Sequence, residues 1–385
     1  MTSRIEHIQA AFAAEEGCRH APVYKVHELP LSYEAITNDW LTDTLCSAHS
    51  GAQVISHQLG PVDSGSSNRR KIAVHYNEAG QAAGLPTALF CKSTHDLSNR
   101  IVLGISGGAL GEVSFYNCIR PLLEIEAPQS FFANYDAETV NSIIMLRDIS
   151  ETVTSFCDHH TNMTRARAES QLRLLATYHG KGYADAAMQA RLKSFVTWPE
   201  FFGKTLEFDM MGGSNQGFLD AVDVIPHSLY KRFDAIWPAT LASVEAHNHL
   251  PQTLCHGDVH LKNWYIAGNG EMGLSDWQCV HRGHWSRDFA YAMSCALTIE
   301  NRRAWEQDLL RLYLDAMHAA GGPNVPFDEA WLHYRQQLVT ALTWWTVTLT
   351  PPSDLPDMQP RDITLAFIQR IATAMDDVDS LGSFS

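Results

Sequence analysis

The spacing of hydrophobic positions along this chain changes character more than once. Residues 32 to 48 carry Ile36, Trp40, Leu41 and Leu45 at helical spacing, which predicts an amphipathic helix. Three short runs rich in β-branched and apolar residues follow: Val54-Ile55-Ser56, Lys71 to Tyr76, and Thr87 to Lys92. Gly60-Pro61, Ser64-Gly65-Ser66-Ser67-Asn68, Asn77 and Gly84 punctuate them, so the stretch reads as an antiparallel meander of about three strands. Gly107-Gly108 then leads into Ala109 to Leu123, where Val113, Tyr116, Ile119 and Leu123 keep a 3.6-residue period and predict one helix. Ser142 to Leu146 is a further strand candidate, and Arg147-Asp148 marks a change of element.

From there the pattern is mostly helical. Leu172, Leu175, Ala176 and His179 form one face, with Gly180 expected to stop it. Trp305, Leu309, Leu312 and Ala316 form a second, ended by Gly321-Gly322-Pro323. Trp331, Tyr334, Leu338, Leu342 and Trp345 form a third. The expected organisation is a helical segment over residues 1–50 packed on a sheet-plus-helix lobe over 51–147, then a helical lobe over 148–385. No repeat period or low-complexity tract interrupts it.

Composition mainly excludes. A chain of 385 residues exceeds one typical domain, and 45% hydrophobic against 18% charged residues supports a sizeable core rather than disorder. The net charge of −15 disfavours contact with nucleic-acid phosphates or an anionic membrane. The N-terminus lacks the apolar run of a signal peptide, and the longest apolar stretch, Leu338 to Leu349, is broken by threonines and too short to span a bilayer. A soluble, cytoplasmic protein without nucleic-acid or membrane partners is expected; nothing in the pattern speaks to oligomeric state. The 8 cysteines form no C-x-x-C pair and read as reduced thiols. Cys279-x-His281-x-x-His284, and His159-His160 beside Cys157, lack a second ligand pair, so zinc is not expected. Phe201-Phe202 and Trp344-Trp345 read as helix-packing core rather than as an acceptor pocket.

The densest chemistry lies in His256-Gly257-Asp258-Val259-His260-Leu261-Lys262-Asn263. An Asp and an Asn separated by four residues, the Asp preceded by His-x, reproduce the spacing of a kinase catalytic loop. The Asp must reach an acceptor hydroxyl, while the Asn aims its amide oxygen at a metal ion. Magnesium prefers hard oxygen ligands and leaves positions open for substrate phosphates. Asp276 stands where a second such ligand would follow on a nearby strand. Ala267-Gly268-Asn269-Gly270 reads as the hairpin turn that would return it beside Asn263.

On these residues the sequence resembles the aminoglycoside phosphotransferase-like, choline-kinase-like and ecdysteroid-kinase-like small-molecule kinases. Their loop reads His-Gly-Asp-x-His-x-x-Asn and their later element Asp-Trp or Asp-Phe, as in Asp276-Trp277. Arg287-Asp288-Phe289-Ala290 is similar to the family's Asp-Leu-Ala element, and Leu175 to His179 to its Leu-Ala-x-x-His. The resemblance spans roughly residues 35 to 345. It implies an α+β, protein-kinase-like fold of two lobes: a five-stranded antiparallel sheet with one helix, then a larger helical lobe, with the active site in the cleft. The fifth strand rests on the resemblance alone.

The same resemblance implies roles. Asp258 would be the catalytic residue, Asn263 and Asp276 would hold one or two Mg2+, and His256 and Asp288 would support the loop. Lys92, oriented by Glu112, would touch the α- and β-phosphates of ATP, under a turn made by Ser64, Gly65, Ser66 and Ser67. That turn is not a Gly-x-Gly-x-x-Gly loop, and Leu146-Arg147-Asp148 has Arg where the family often has Glu, which leaves GTP open beside ATP. The implied activity is transfer of a γ-phosphate to a hydroxyl of a small molecule: an aminoglycoside, a choline-like or sterol-like alcohol, or a sugar. A nucleotide-binding pseudoenzyme serving as an interaction module is the alternative, against which the intact Asp258, Asn263, Asp276 and Lys92 argue. A protein kinase is disfavoured by the lack of an Ala-Pro-Glu element after Asp276.

Overall fold

A computed structural model describes residues 4–351 and 359–384. The chain divides into two compact units, Met1–Pro121 with Pro128–Glu151, and Leu122–Ala127 with Thr152–Ser385.

In the first unit, β1 (Val54–Ser64), β2 (Asn68–Tyr76), β3 (Ala88–Ser93), β4 (Ser130–Tyr135) and β5 (Ser142–Arg147) build one sheet. Its order is β1-β2-β3-β5-β4, with every neighbouring pair antiparallel. The strand implied only by family resemblance is therefore present, as β4. Gly60-Pro61 does not end β1 as expected; the strand runs through it with a register shift between Leu59 and Val62. An edge strand tolerates this, because the missing proline N–H can face away from the ladder.

Helices α1 (Arg4–Ala14), α2 (Asn38–Leu45), α3 (Glu78–Ala82), α4 (Leu97–Ser106) and α5 (Gly108–Ser114) complete the unit. The helix expected over residues 32 to 48 is a 3-10 turn, Tyr33–Ala35, followed by α2. Thr37 separates them by capping α2, its hydroxyl accepting from Trp40 N at 3.1 Å. Trp40, Leu41 and Leu45 then pack on Ile72, Val74, Leu89, Cys91, Ile143 and Met145 of the sheet. The helix expected from Ala109 to Leu123 is shorter, being α5 continued by a π turn over Phe115–Ile119 and a 3-10 turn over Arg120–Leu122. Pro121, without an N–H, cannot extend an α-helical ladder there. Helix α4 escapes a periodicity reading because its buried face includes Asn99, Arg100 and Gly104.

The second unit holds β6 (Val153–Phe156), β7 (Thr253–Cys255), β8 (Trp264–Ala267), β9 (Met272–Leu274) and β10 (His281–Gly283). They form a three-stranded sheet β6-β8-β9 and a separate β7–β10 pair, all antiparallel. Its helices are α6 (Arg165–Ala184), α7 (Ala186–Leu192), α8 (Trp198–Thr205), α9 (Met210–Asp220), α10 (His227–Tyr230), α11 (Phe233–Ala246), α12 (Ser286–Ala296), α13 (Ile299–Ala319), α14 (Phe327–Leu349) and α15 (Arg361–Asp377). Helix α14 packs against α9, α11, α12 and α15, and α13 lies on α6.

Gly180 does not stop α6, which runs on to Ala184. The buried face of α13 is also turned from the expected one: Arg302, Glu306, Leu309, Tyr313 and Met317 point inward, while Trp305, Leu312 and Ala316 are only half-buried. The cause is a buried ion pair, Arg302 to Glu306 at 2.7 Å, with Asp377 of α15 also on Arg302 and the Tyr334 hydroxyl donating to Glu306 at 3.0 Å. Charged residues thus occupy core positions that a hydrophobic pattern assigns to the surface. Phe201 and Phe202 pack with Trp198, Met210, Val244 and Val347 as core. Among the described residues no helix is long and apolar enough to cross a membrane.

Candidate active site

The loop 256–263 hangs between two strands. β7 delivers His256, and the 3-10 turn Leu261–Asn263 passes the chain into β8. Gly270, at φ 86°, closes the β8–β9 hairpin, with its N–H on Ala267 O at 2.9 Å. The ladder continues one step past β9, where Ser275 N and its hydroxyl both donate to Asn263 O at 2.9 Å. Asp276 follows immediately, in a left-handed conformation (φ 62°) that a non-glycine residue rarely adopts. The hairpin expected from sequence does return Asp276 to the end of the loop 256–263.

Asp258 is the best-anchored side chain of the loop. The Tyr291 hydroxyl donates to its Oδ1 at 3.0 Å, while Asn263 Nδ2 lies 3.3 Å and His260 Nε2 3.4 Å from Oδ2. Burial alone would raise its pKa, but His260, then His256 and the Tyr291 hydrogen bond, outweigh burial and bring it down to about 2. Asp258 is thus a carboxylate at neutral pH. Asn263 also donates through Nδ2 to Asp258 O at 2.7 Å, which commits its amide nitrogen inward and leaves Oδ1 as its outward chemistry. An amide oxygen and the Asp276 carboxylate are the hard donors that suit a magnesium ion.

His256 is fully buried, and burial holds its pKa below the ordinary imidazole value. Its Nδ1 accepts from Asp258 N at 3.2 Å and its Nε2 donates to Ser275 O at 2.9 Å, tying the loop to the hairpin. Asp288, on α12, accepts from His256 N at 2.7 Å and Gly257 N at 2.9 Å. Its carboxylate also takes the Tyr178 hydroxyl at 2.7 Å and faces His179 Nε2 at 3.3 Å, and His179 Nδ1 meets the Tyr313 hydroxyl at 2.7 Å. Tyr178, Tyr313, Tyr291 and the fully buried Arg287, which donates to Gly257 O at 3.3 Å, are parts of the site to which sequence reasoning gave no role; His179 it placed only in the resemblance to Leu-Ala-x-x-His. A signal existed for two of them: Arg287 adjoins Asp288, and Tyr291 lies three residues on, over the same helix face.

His179, Cys255 and Asp288 bring potential metal ligands within 4.8 Å of one another. Asp288 is already committed to four donors, and burial pushes the Cys255 thiol well up, so the cluster reads as a hydrogen-bonded brace. Cys279, His281 and His284 do not form a ligand set either: His281 Nδ1 bonds Cys279 O at 2.8 Å and His284 Nδ1 bonds the Ser286 hydroxyl at 2.7 Å.

In the first unit, Lys92 ends β3 and Glu112 stands on α5. Their side chains are buried and meet at 2.8 Å. Ser64, Gly65, Ser66 and Ser67 form the β1–β2 turn, where Gly65 N donates to Ser67 O at 3.1 Å and Asn99 Nδ2 to Gly65 O at 2.5 Å. The Gly65 N–H is thus engaged within the turn. At the strand end, Asp148 pairs with Lys71 at 2.9 Å.

No curated protein matches the sequence. Solved structures with a similar chain course include the GDP complex of wild-type aminoglycoside 2'-phosphotransferase-IIIa (10% identity, TM-score 0.47, covering 87% of this chain and 98% of that one). They also include a choline kinase from Streptococcus pneumoniae (12%, 0.46, 89% and 98%) and a macrolide 2'-phosphotransferase from Brachybacterium faecium (13%, 0.44, 84% and 95%). Residues 151–323, the stretch that carries the loop, Asp276 and Asp288, match the family model described as the phosphotransferase enzyme family, which bears out the resemblance read from the sequence.

Proposed function

We propose that this chain is a phosphotransferase that moves the γ-phosphate of ATP, with Mg2+, onto a hydroxyl of a small molecule. The observation that carries the reading is the arrangement of 256–263: an ionised Asp258 beside an Asn263 whose amide nitrogen is tied down, with Asp276 one residue past the Ser275–Asn263 bond. The family match over 151–323 supports it.

Phosphoryl transfer asks a protein for positioning and charge more than for covalent chemistry. With a pKa of about 2, Asp258 is too weak a base to strip an alcohol in the ground state. Its role is to accept the hydroxyl's hydrogen bond, aim the oxygen at phosphorus, and take the proton as the new O–P bond forms. Asn263 and Asp276 would hold Mg2+, which when bound would supply positive charge against the phosphates. Lys92, paired with Glu112, grips the phosphates, with the Ser64–Ser67 turn over them. His256 and Asp288 hold the loop. The acceptor is an aminoglycoside-, choline- or sterol-like alcohol.

The test is ADP release from MgATP across a panel of such alcohols, with Asp258→Ala and Asp276→Ala compared. Both variants should lose turnover by about a thousandfold or more while melting close to the wild type. Retained turnover in either variant refutes the assignment. Nucleotide binding without turnover in the wild type would make the chain a binding module instead.

A further inference from the structure

The helix that braces the catalytic loop grips three consecutive residues. From one face of α12, Asp288 takes the N–H groups of His256 and Gly257, Arg287 donates to the Gly257 carbonyl, and Tyr291 reaches the side chain of Asp258. We propose that Tyr291 is a positioning residue for phosphoryl transfer, its hydroxyl fixing the rotation of the Asp258 carboxylate. This rests on the phosphotransferase reading and names a residue to which that reading gives no role.

The argument is geometric. Backbone bonds at 256 and 257 place the Asp258 main chain, but they leave the torsions of its side chain free. Two contacts on Oδ2 lie at 3.3 and 3.4 Å; the Tyr291 bond to Oδ1, at 3.0 Å, is shorter than either. Tyr291 is itself closely packed. It is fully buried, one helical turn after Asp288, with the Arg287 guanidinium 5.1 Å from its ring centroid. A rigid donor on one oxygen confines the carboxylate plane, and with it the place where an acceptor hydroxyl sits. Misplacement by about 1 Å costs on the order of a hundredfold in rate.

Because the ring is held by packing, Tyr291→Phe deletes the hydroxyl and little else. The experiment measures MgATP turnover, with water and with the panel alcohols as acceptors, in wild type, Tyr291→Phe and Phe289→Leu. Phe289 lies on the same helix, fully buried against Tyr313 and Tyr334, and makes no bond to the loop. Tyr291→Phe should lower kcat about 10- to 100-fold while the KM for ATP and binding of a non-hydrolysable ATP analogue stay within about twofold. Phe289→Leu should lower Tm yet keep kcat when assayed well below its melting point. The proposal is overturned if Tyr291→Phe keeps kcat within about twofold of wild type, or if its kcat falls only together with Tm and analogue binding, as a packing defect would require. A wild type that turns over no MgATP with any acceptor removes the phosphotransferase reading, and this inference with it.

Discussion

Gly257 stands at φ 82°, and a Cβ there would lie 2.5 Å from Cys279 O and 2.7 Å from His281 Cε1. Either constraint alone favours glycine between His256 and Asp258; together they leave no room for anything larger. The left-handed backbone costs an L residue about 1–2 kcal/mol, and the clash with the Cys279 backbone carbonyl cannot be relieved by rotating a side chain. Gly257→Ala should therefore shift the loop, lowering Tm by several degrees and turnover by about tenfold or more. Wild-type turnover in that variant would show that the loop has slack. Residue-level pattern was readable where it was contiguous: eight adjacent positions pointed to Asp258 and Asn263, and the resemblance added His256, all of which the structure joins in one hydrogen-bonded loop. The partners of those residues were not, because Tyr291 is 33 positions from Asp258 and Tyr178 is 110 from Asp288, and a tyrosine on a helix looks the same whether it meets core or carboxylate.

At the scale of elements, glycines in α6 carried a different meaning from the one their sequence context suggests. A stop signal at Gly180 would make Gly180→Ala stabilising, by up to about 1 kcal/mol, since alanine is the better helix former. The fold argues the reverse sign. A Cβ on Gly180 would lie 2.5 Å from both Ala320 Cβ and Met317 O, and one on Gly182 would collide with Thr253. These glycines let α6 approach the end of α13 and the start of the β7 strand that feeds the catalytic loop. Overpacking of that kind costs about 1–3 kcal/mol, which exceeds the propensity gain. Gly180→Ala should thus lower the denaturant midpoint without changing the slope, and a raised midpoint would restore the stop-signal reading. Because Tyr178 and His179 sit on the same turn and hold Asp288, the variant should also depress turnover. In β2, Ile72, Val74 and Tyr76 are buried between exposed neighbours, the alternation by which a strand is found. Helices such as α4 and α13, which bury Arg100 or an Arg302–Glu306 pair, erase the very periodicity by which a helix face is found.

For the whole molecule, the unusual feature is the number of histidines buried in neutral form. Burial is the main cause in each case: it pushes His247 down to about 3 and His281 down to about 4 in the second unit, and His95 down to about 3 in the first. An unfolded chain would protonate these rings near pH 6.5, whereas the native protein keeps them neutral down to roughly pH 4. In that window the unfolded state binds more protons, so stability must fall as pH falls from about 6.5. At pH 5 each ring contributes a loss of up to about 2 kcal/mol, a large share of a typical folding free energy. Asp288 extends the trend further down. Burial would raise its pKa, but its hydrogen bonds with His179 and Tyr178 outweigh burial and hold it well below the ordinary carboxylate value, so its stabilisation is lost as pH drops below about 4. Melting followed by far-UV circular dichroism should therefore give a Tm that is flat from about pH 7 to 8 and falls steeply between about pH 6.5 and 5. Turnover, which depends on an Asp258 ionised far below that range, should keep its kcat at pH 6 as long as the assay temperature stays under the melting point. A Tm that holds constant to pH 5 would mean that these histidines titrate as freely in the folded protein as out of it, and that the packing around His247 and His281 admits charge.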